Sequence, residues 1–117
     1  MRKFRNVKTS YDGYRFDSIF ERDIYIVLKS DPDIEVSELQ PKVYLTDAKI
    51  LLKPDFKCRT KSTGQVYYAE AKGFETASWR IKRRLWQFYG PTDLIVYKAM
   101  GRRTSGRFVI ETIPQPK

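Results

Sequence analysis

The chain has 117 residues, with 23 lysines and arginines against 14 acidic residues, a net charge of +9 and a pI of about 9.7. Hydrophobic residues make up 41% and aromatics 15%, which suits one domain, 1–117, with a core of its own and excludes intrinsic disorder. There is no histidine and a single cysteine, Cys58, so intrachain disulfides, His-Cys zinc sites, Ser-His-Asp triads and a histidine general base are excluded.

Any chemistry must therefore run on carboxylates, lysine and a metal ion. The positive excess favours a polyanionic partner such as nucleic acid. The N-terminus lacks an apolar signal core and no apolar run approaches membrane-spanning length, so a cytoplasmic setting without a membrane partner is expected. Cys58 reads as a small buried hydrophobe in a strand.

In chain order, residues 3–9 and 14–16 flank Tyr11-Asp12-Gly13, an Asp-Gly turn that predicts a hairpin. Ser18 and Glu21 have the spacing of a capping box, and a helix is expected to run to about Lys29. Phe20, Ile24, Val27 and Leu28 make its expected buried face. Ser30-Asp31-Pro32-Asp33 ends it. Residues 34–45 read as extended with a break at Pro41, and residues 46–48 as a turn. A strand is expected over 50–59, a turn over 61–64, and an antiparallel strand over 65–72. A second helix is expected over 77–89, with Ala77, Ile81, Leu85 and Phe88 as its apolar stripe and Gly90-Pro91 as its stop, glycine taking positive φ. Residues 94–97 form a continuous apolar run that suits a buried parallel strand reached by a crossover. Residues 101–107 read as a basic loop, 108–113 as an edge strand and 114–117 as a frayed tail. The whole predicts an α/β fold, a mixed sheet flanked by helices.

Three pieces of this chain carry chemistry together. Glu21 lies on the first helix, Lys53-Pro54-Asp55-Phe56 on one expected strand, and Glu70-Ala71-Lys72 on the next. Glu70 and Lys72 are two apart on a strand and share a face. Hard oxygen ligands of this kind suit Mg²⁺ or Mn²⁺. A metal held there polarises a phosphodiester and acidifies water, while the lysine orients that water or neutralises the phosphate. Glu21 has a second reading as a helix cap alone, and Glu70 with Lys72 a second reading as a solvated ion pair.

The second helix carries Arg80, Lys82, Arg83 and Arg84 interleaved with Trp79, Trp86 and Tyr89. Cations and aromatics together suit phosphate contact and base stacking; the alternative is a solvated basic face with its aromatics turned to the core. Lys3, Arg5, Lys8, Arg102, Arg103 and Arg107 extend the basic track. Gln40, before Pro41, either touches DNA or the lysine, or holds a turn. The glycines make neither a P-loop nor a dinucleotide fingerprint, so no cofactor-binding site is expected beyond the metal.

Glu21, Pro54-Asp55 and Glu70-Ala71-Lys72, in this order along the chain, resemble the signature of the PD-(D/E)XK nuclease superfamily. Phe16-Asp17-Ser18 through Glu21, Leu39-Gln40-Pro41-Lys42, Lys53-Pro54-Asp55-Phe56 and Glu70-Ala71-Lys72-Gly73 resemble, more narrowly, small phage junction-resolving endonucleases. The resemblance covers roughly residues 11–98. It implies a restriction-endonuclease-like mixed sheet and a Mg²⁺-dependent DNA endonuclease, with Mn²⁺ able to substitute. Asp55, Glu70 and the Ala71 carbonyl would hold one metal, and Glu21 would help hold a second. Lys72 would act on the attacking water or the scissile phosphate. It further implies branched DNA as substrate, a phage origin with activity in the cytoplasm of a bacterial host, and a homodimer. Duplex cleavage and a non-catalytic basic DNA-binding module are the competing functions.

Overall fold

The computed structural model describes residues 8–100 and 107–116. Strands β1 (Thr9–Tyr11) and β2 (Tyr14–Phe16) form the expected hairpin, with Thr9 opposite Phe16. Asp12 and Gly13 both take positive φ, 57° and 81°, the turn whose twist matches a two-residue hairpin. Residues 3–7 of the expected first strand lie outside the described residues.

Helix α1 spans Ile19–Lys29, and Ser18 caps it by accepting the Glu21 N–H at 3.0 Å. Its buried face is Phe20, Glu21, Ile24, Tyr25 and Leu28. Val27, expected on that face, is exposed. Tyr25 is the reason: its ring packs on Phe16 and Phe56, with centroids 5.1 and 6.1 Å apart. That contact rotates the helix toward the Tyr25 side, and Val27 lies on the opposite flank of Ile24.

The expected strand over 50–59 is divided. Strand β3 (Ile34–Leu39) pairs antiparallel with β6 (Phe56–Thr60), while β4 (Val43–Tyr44) pairs with β5 (Leu51–Leu52) in a separate two-stranded ribbon. The ribbon leaves the main sheet at Gln40-Pro41 and returns at Lys53-Pro54. The prolines explain the break, because each lacks the N–H that a sheet interior requires. Gln40 takes φ 51° and donates its backbone N–H to the Asp55 carbonyl at 2.8 Å. Asp55 thus stands at the neck of the excursion, just before β6, and not inside a strand.

Strand β7 (Val66–Lys72) follows the turn at 61–64, where Gly64 takes φ 76°. Helix α2 (Ala77–Tyr89) then leads to β8 (Leu94–Ala99), which pairs parallel to β7. Strand β9 (Phe108–Ile113) closes the far edge, antiparallel to β8. The main sheet has the order β3-β6-β7-β8-β9, mixed and five-stranded, with β7 at its centre. This is a compact α/β protein with a helix on each face. The basic loop at 101–106 lies outside the described residues.

Each face of the sheet has its own core. On one, α1 and the β1–β2 hairpin pack Phe16, Phe20, Ile24, Tyr25 and Leu28 against Phe56, Cys58, Ala69 and Tyr97. On the other, Trp79 and Trp86 of α2 and Val43, Leu45 and Leu52 of the ribbon pack with Leu94, Val96 and Ile113. Cys58 is fully buried, and burial pushes its thiol up to about 12, which removes it from nucleophilic chemistry.

Helix α2 corrects the expected stripe. Ile81 and Phe88 are 63% and 60% exposed and Ala77 is exposed; the buried residues are Trp79 and Trp86, with Leu85 half-buried. Two tryptophans bury more apolar surface than the competing alanine, isoleucine and phenylalanine, so they set the helix rotation. Gly90 is also corrected. Its φ is −65°, ordinary for any residue. Glycine is needed there for space, because a Cβ would run into the indole of Trp86, whose Nε1 donates to the Thr92 carbonyl at 2.7 Å.

Candidate active site

Alternation along β7 places Tyr68, Glu70 and Lys72 on the α2 face and Ala69 and Ala71 on the α1 face. Strand β6 begins at Phe56, opposite Ala69, so residues 70–72 of β7 run past its end. Asp55 fills the vacated edge. Its Oδ2 accepts the Ala71 N–H at 2.8 Å, and its own N–H donates to Glu70 Oε1 at 3.2 Å. Glu21 comes from the other layer, on the first turn of α1, and its charge is felt by both Asp55 and Glu70. Lys72 Nζ is 3.0 Å from Glu70 Oε2. Glu21, Asp55, Glu70 and Lys72, separated along the chain, meet at one end of the central strand.

The N–H and C=O of a strand residue leave on the same side. The bond from the Ala71 N–H to Asp55 therefore puts the Ala71 carbonyl on the Asp55 side of β7 as well. Glu21 combines its two readings. Its N–H is capped by Ser18, while its Oε1 accepts the Asp17 N–H at 3.3 Å. Only 7% of Glu21 is exposed; a cap on an exposed helix end needs no such burial.

The electrostatics follow from burial. Glu21, Asp55 and Glu70 all titrate above the ordinary carboxylate range, each chiefly because burial penalises its charged form. Glu70 and Glu21 push Asp55 further up by charge repulsion. Lys72 works in the opposite direction on Glu70. Two buried carboxylates, Glu21 and Glu70, and the half-buried Asp55 face one ammonium group, so full ionisation leaves two negative charges without a cationic partner. An all-oxygen donor set with that deficit fits a divalent hard cation. As placed, the side chains hydrogen-bond to one another and to the backbone, and among the described residues no three Asp, Glu or Cys side chains are already spaced as a metal cage.

Compared with known proteins, the chain matches no family model, no curated protein and no solved structure.

The nucleic-acid residues read from the sequence divide. Arg80 and Arg84 are exposed on the outer side of α2. Lys82 lines a cavity beside Lys72. Arg83 is tied to Glu111, which also meets Lys98 at 3.5 Å, so its charge is already matched. Gln40 Nε2 donates to Asp17 Oδ2 at 3.4 Å, and its side chain also reaches Glu21, so it braces the cluster while its outer edge stays exposed. Trp79 and Trp86 are buried and cannot stack on bases; Tyr89 is exposed. Lys8 is exposed. Lys3, Arg5, Arg102 and Arg103 lie outside the described residues.

Trp79, read from the sequence as a stacking aromatic or a core residue, has a role at the site that the pattern did not show. The Lys72 ammonium sits 4.4 Å from its ring centroid, a cation–π contact that holds the lysine. Its position seven residues after Lys72, just inside a helix, was the available signal.

Proposed function

We propose that the protein is a Mg²⁺-dependent DNA endonuclease on a restriction-endonuclease-like fold. One observation carries this reading: Glu21, Asp55 and Glu70 converge with Lys72 at the end of the central strand, next to a chain neck that leaves Asp55 free of the sheet ladder. The +9 charge and the exposed Arg80 and Arg84 on α2 support a polyanionic substrate.

Asp55, Glu70, Glu21 and the Ala71 carbonyl are the groups that would hold the metal, with Mn²⁺ an effective substitute. When bound, Mg²⁺ supplies Lewis acidity toward the phosphate and toward water. Lys72 brings a positive charge to the same edge, fixed by Glu70 and by the Trp79 ring, and neutralises charge that builds on the phosphate. Gln40 and Ser18 orient Glu21 through Asp17 and the helix cap. Branched DNA, a phage origin, a homodimer and a bacterial cytoplasm are parts of this proposal that rest on the motif resemblance alone. Among the described residues no helix is long and apolar enough to cross a membrane.

A second reading, a non-catalytic basic DNA-binding module, is favoured by the way backbone N–H groups and Lys72 already satisfy the carboxylates. Incubation with labelled duplex and four-way-junction DNA separates the two. The endonuclease cuts one or both in Mg²⁺ and neither in chelator. Binding without cleavage on every form of DNA, at any Mg²⁺ concentration, supports the binding module.

A further inference from the structure

Beside the carboxylate cluster, on the α2 side of Lys72, is a cavity of about 290 Å³ bounded by β5, the end of β7 and the first turn of α2. Glu21 and Asp55 do not line it. Its wall supplies Lys53, Lys72, Lys82, Thr76 and Ser78 as donors, with the Trp79 ring beside them. Its one carboxylate, Glu70, is already engaged by Lys72 and by the Asp55 N–H. The cavity is rich in donors and short of acceptors.

The end of helix α2 bears on what fills it. Helix α2, 13 residues long, opens toward the cavity with no acidic residue in its first turn. Thr76 Oγ1 takes the Trp79 N–H at 3.0 Å, while the N–H groups of Ala77 and Ser78 have no carbonyl inside the helix to meet. Three lysines, two hydroxyls and a helix N-terminus with no acidic residue in its first turn call for a compact ligand with several acceptor oxygens and negative charge.

We propose that this cavity binds a second backbone phosphate of the nucleic-acid strand, adjacent to the phosphate held at Asp55. Lys72 stands between the two and touches both sites. The proposal rests on the nuclease reading for the identity of the strand, and its test does not depend on cleavage. The subsite fixes the strand's register, so that the neighbouring phosphate falls against Asp55 and Glu70.

The test scans one DNA strand with single neutral methylphosphonate linkages and measures binding in chelator. It uses the wild-type chain, the Lys53→Gln/Lys82→Gln variant, and Lys29→Gln/Lys61→Gln as a control with the same charge loss. One linkage, or two adjacent ones, should weaken wild-type and control binding about tenfold. At that linkage the Lys53→Gln/Lys82→Gln variant should show little further loss. Equal sensitivity along the whole strand, undiminished sensitivity in that variant, or no measurable binding overturns the proposal. Cleavage in Mg²⁺ is scored separately on unmodified DNA. Cleavage without linkage coupling sinks the subsite and leaves the nuclease; coupling without cleavage does the reverse.

Discussion

The backbone N–H of Ala71 donates to Asp55 Oδ2 at 2.8 Å, across an edge where β7 outruns β6. That bond joins the two halves of the motif. It fixes Asp55 beside Glu70 and turns the Ala71 carbonyl to the same side. It exists because Pro54 keeps the chain out of the ladder until β6 begins two residues later, at Phe56. The placement of Asp55 follows from a break in the sheet.

Asp55→Asn should make the fold more stable while removing cleavage. Asp55 titrates well above the ordinary carboxylate range because it is desolvated and faces Glu70 and Glu21. An amide of the same shape can still accept from the Ala71 N–H and carries no charge to desolvate. The expected gain is about 1 kcal/mol, or roughly 4 °C in Tm, measured by thermal unfolding in chelator near pH 8. A clear loss of stability would mean that the carboxylate is structural.

Stability in chelator should fall as pH rises from about 4 upward. All three carboxylates titrate above their ordinary range. Between the unfolded and folded pKa values the native state binds more protons than the unfolded one, so the slope of unfolding free energy with pH is negative. Mg²⁺ should flatten that slope, because a bound cation replaces the protons. Denaturant melts across pH 4–9, with and without Mg²⁺, check the sign; a cluster stabilised by rising pH contradicts it.

Ser18→Ala and Glu21→Gln should part company. The serine cap accepts the Glu21 N–H, and its loss should cost about 1 kcal/mol with cleavage retained at saturating Mg²⁺. Glu21→Gln keeps an acceptor for the Asp17 N–H but loses the charge. It should leave stability nearly unchanged and raise the Mg²⁺ concentration needed for half-maximal cleavage. Identical Mg²⁺ dependence in the two variants would reduce Glu21 to a cap.

Gly90→Ala should destabilise the protein by about 1–3 kcal/mol, the usual cost of overpacking. Its added methyl runs into the Trp86 indole. Replacing the indole with a smaller ring, in Gly90→Ala/Trp86→Phe, should recover part of that loss in a double-mutant cycle by denaturant unfolding. Additive effects would show that the clash is relieved elsewhere.

Local signals were legible where one short-range rule decides. The Asp12-Gly13 turn, the Ser18 cap, the 61–64 turn and the apolar run at 94–97 each have that character, and each is found where it was read. The rotation of α2 was not legible, because Ile81, Leu85 and Phe88 make as good a stripe as Trp79 and Trp86 until the size of the opposing surface is known. Nor was the ribbon of β4 and β5, since a proline inside an apolar run marks an edge, a bulge or an exit with equal force. At the site, the residue types and their order were readable. The closeness of Glu21 to Asp55 was not, because it depends on how far β7 extends beyond β6. The role of Trp79 depends on a helix rotation that its own side chain helps to set.

Lys72→Ala should abolish cleavage and leave DNA binding within about threefold, since Lys53, Lys82 and the exposed arginines of α2 still meet the strand. Glu70→Ala should do the same to cleavage and also free Lys72 from its ion pair at 3.0 Å. Filter binding in chelator beside cleavage in Mg²⁺ checks both. Normal cutting by either variant would place the chemistry elsewhere.

The central claim is tested most directly by single-turnover cleavage of end-labelled junction and duplex DNA in saturating Mg²⁺, comparing the wild type with Asp55→Asn. The wild type should cut at least one substrate, and Asp55→Asn, folded and bound to the same DNA, should be slower by about a thousandfold or more. Equal rates in the two proteins, or no Mg²⁺-dependent cleavage by the wild type on either DNA, would contradict the account.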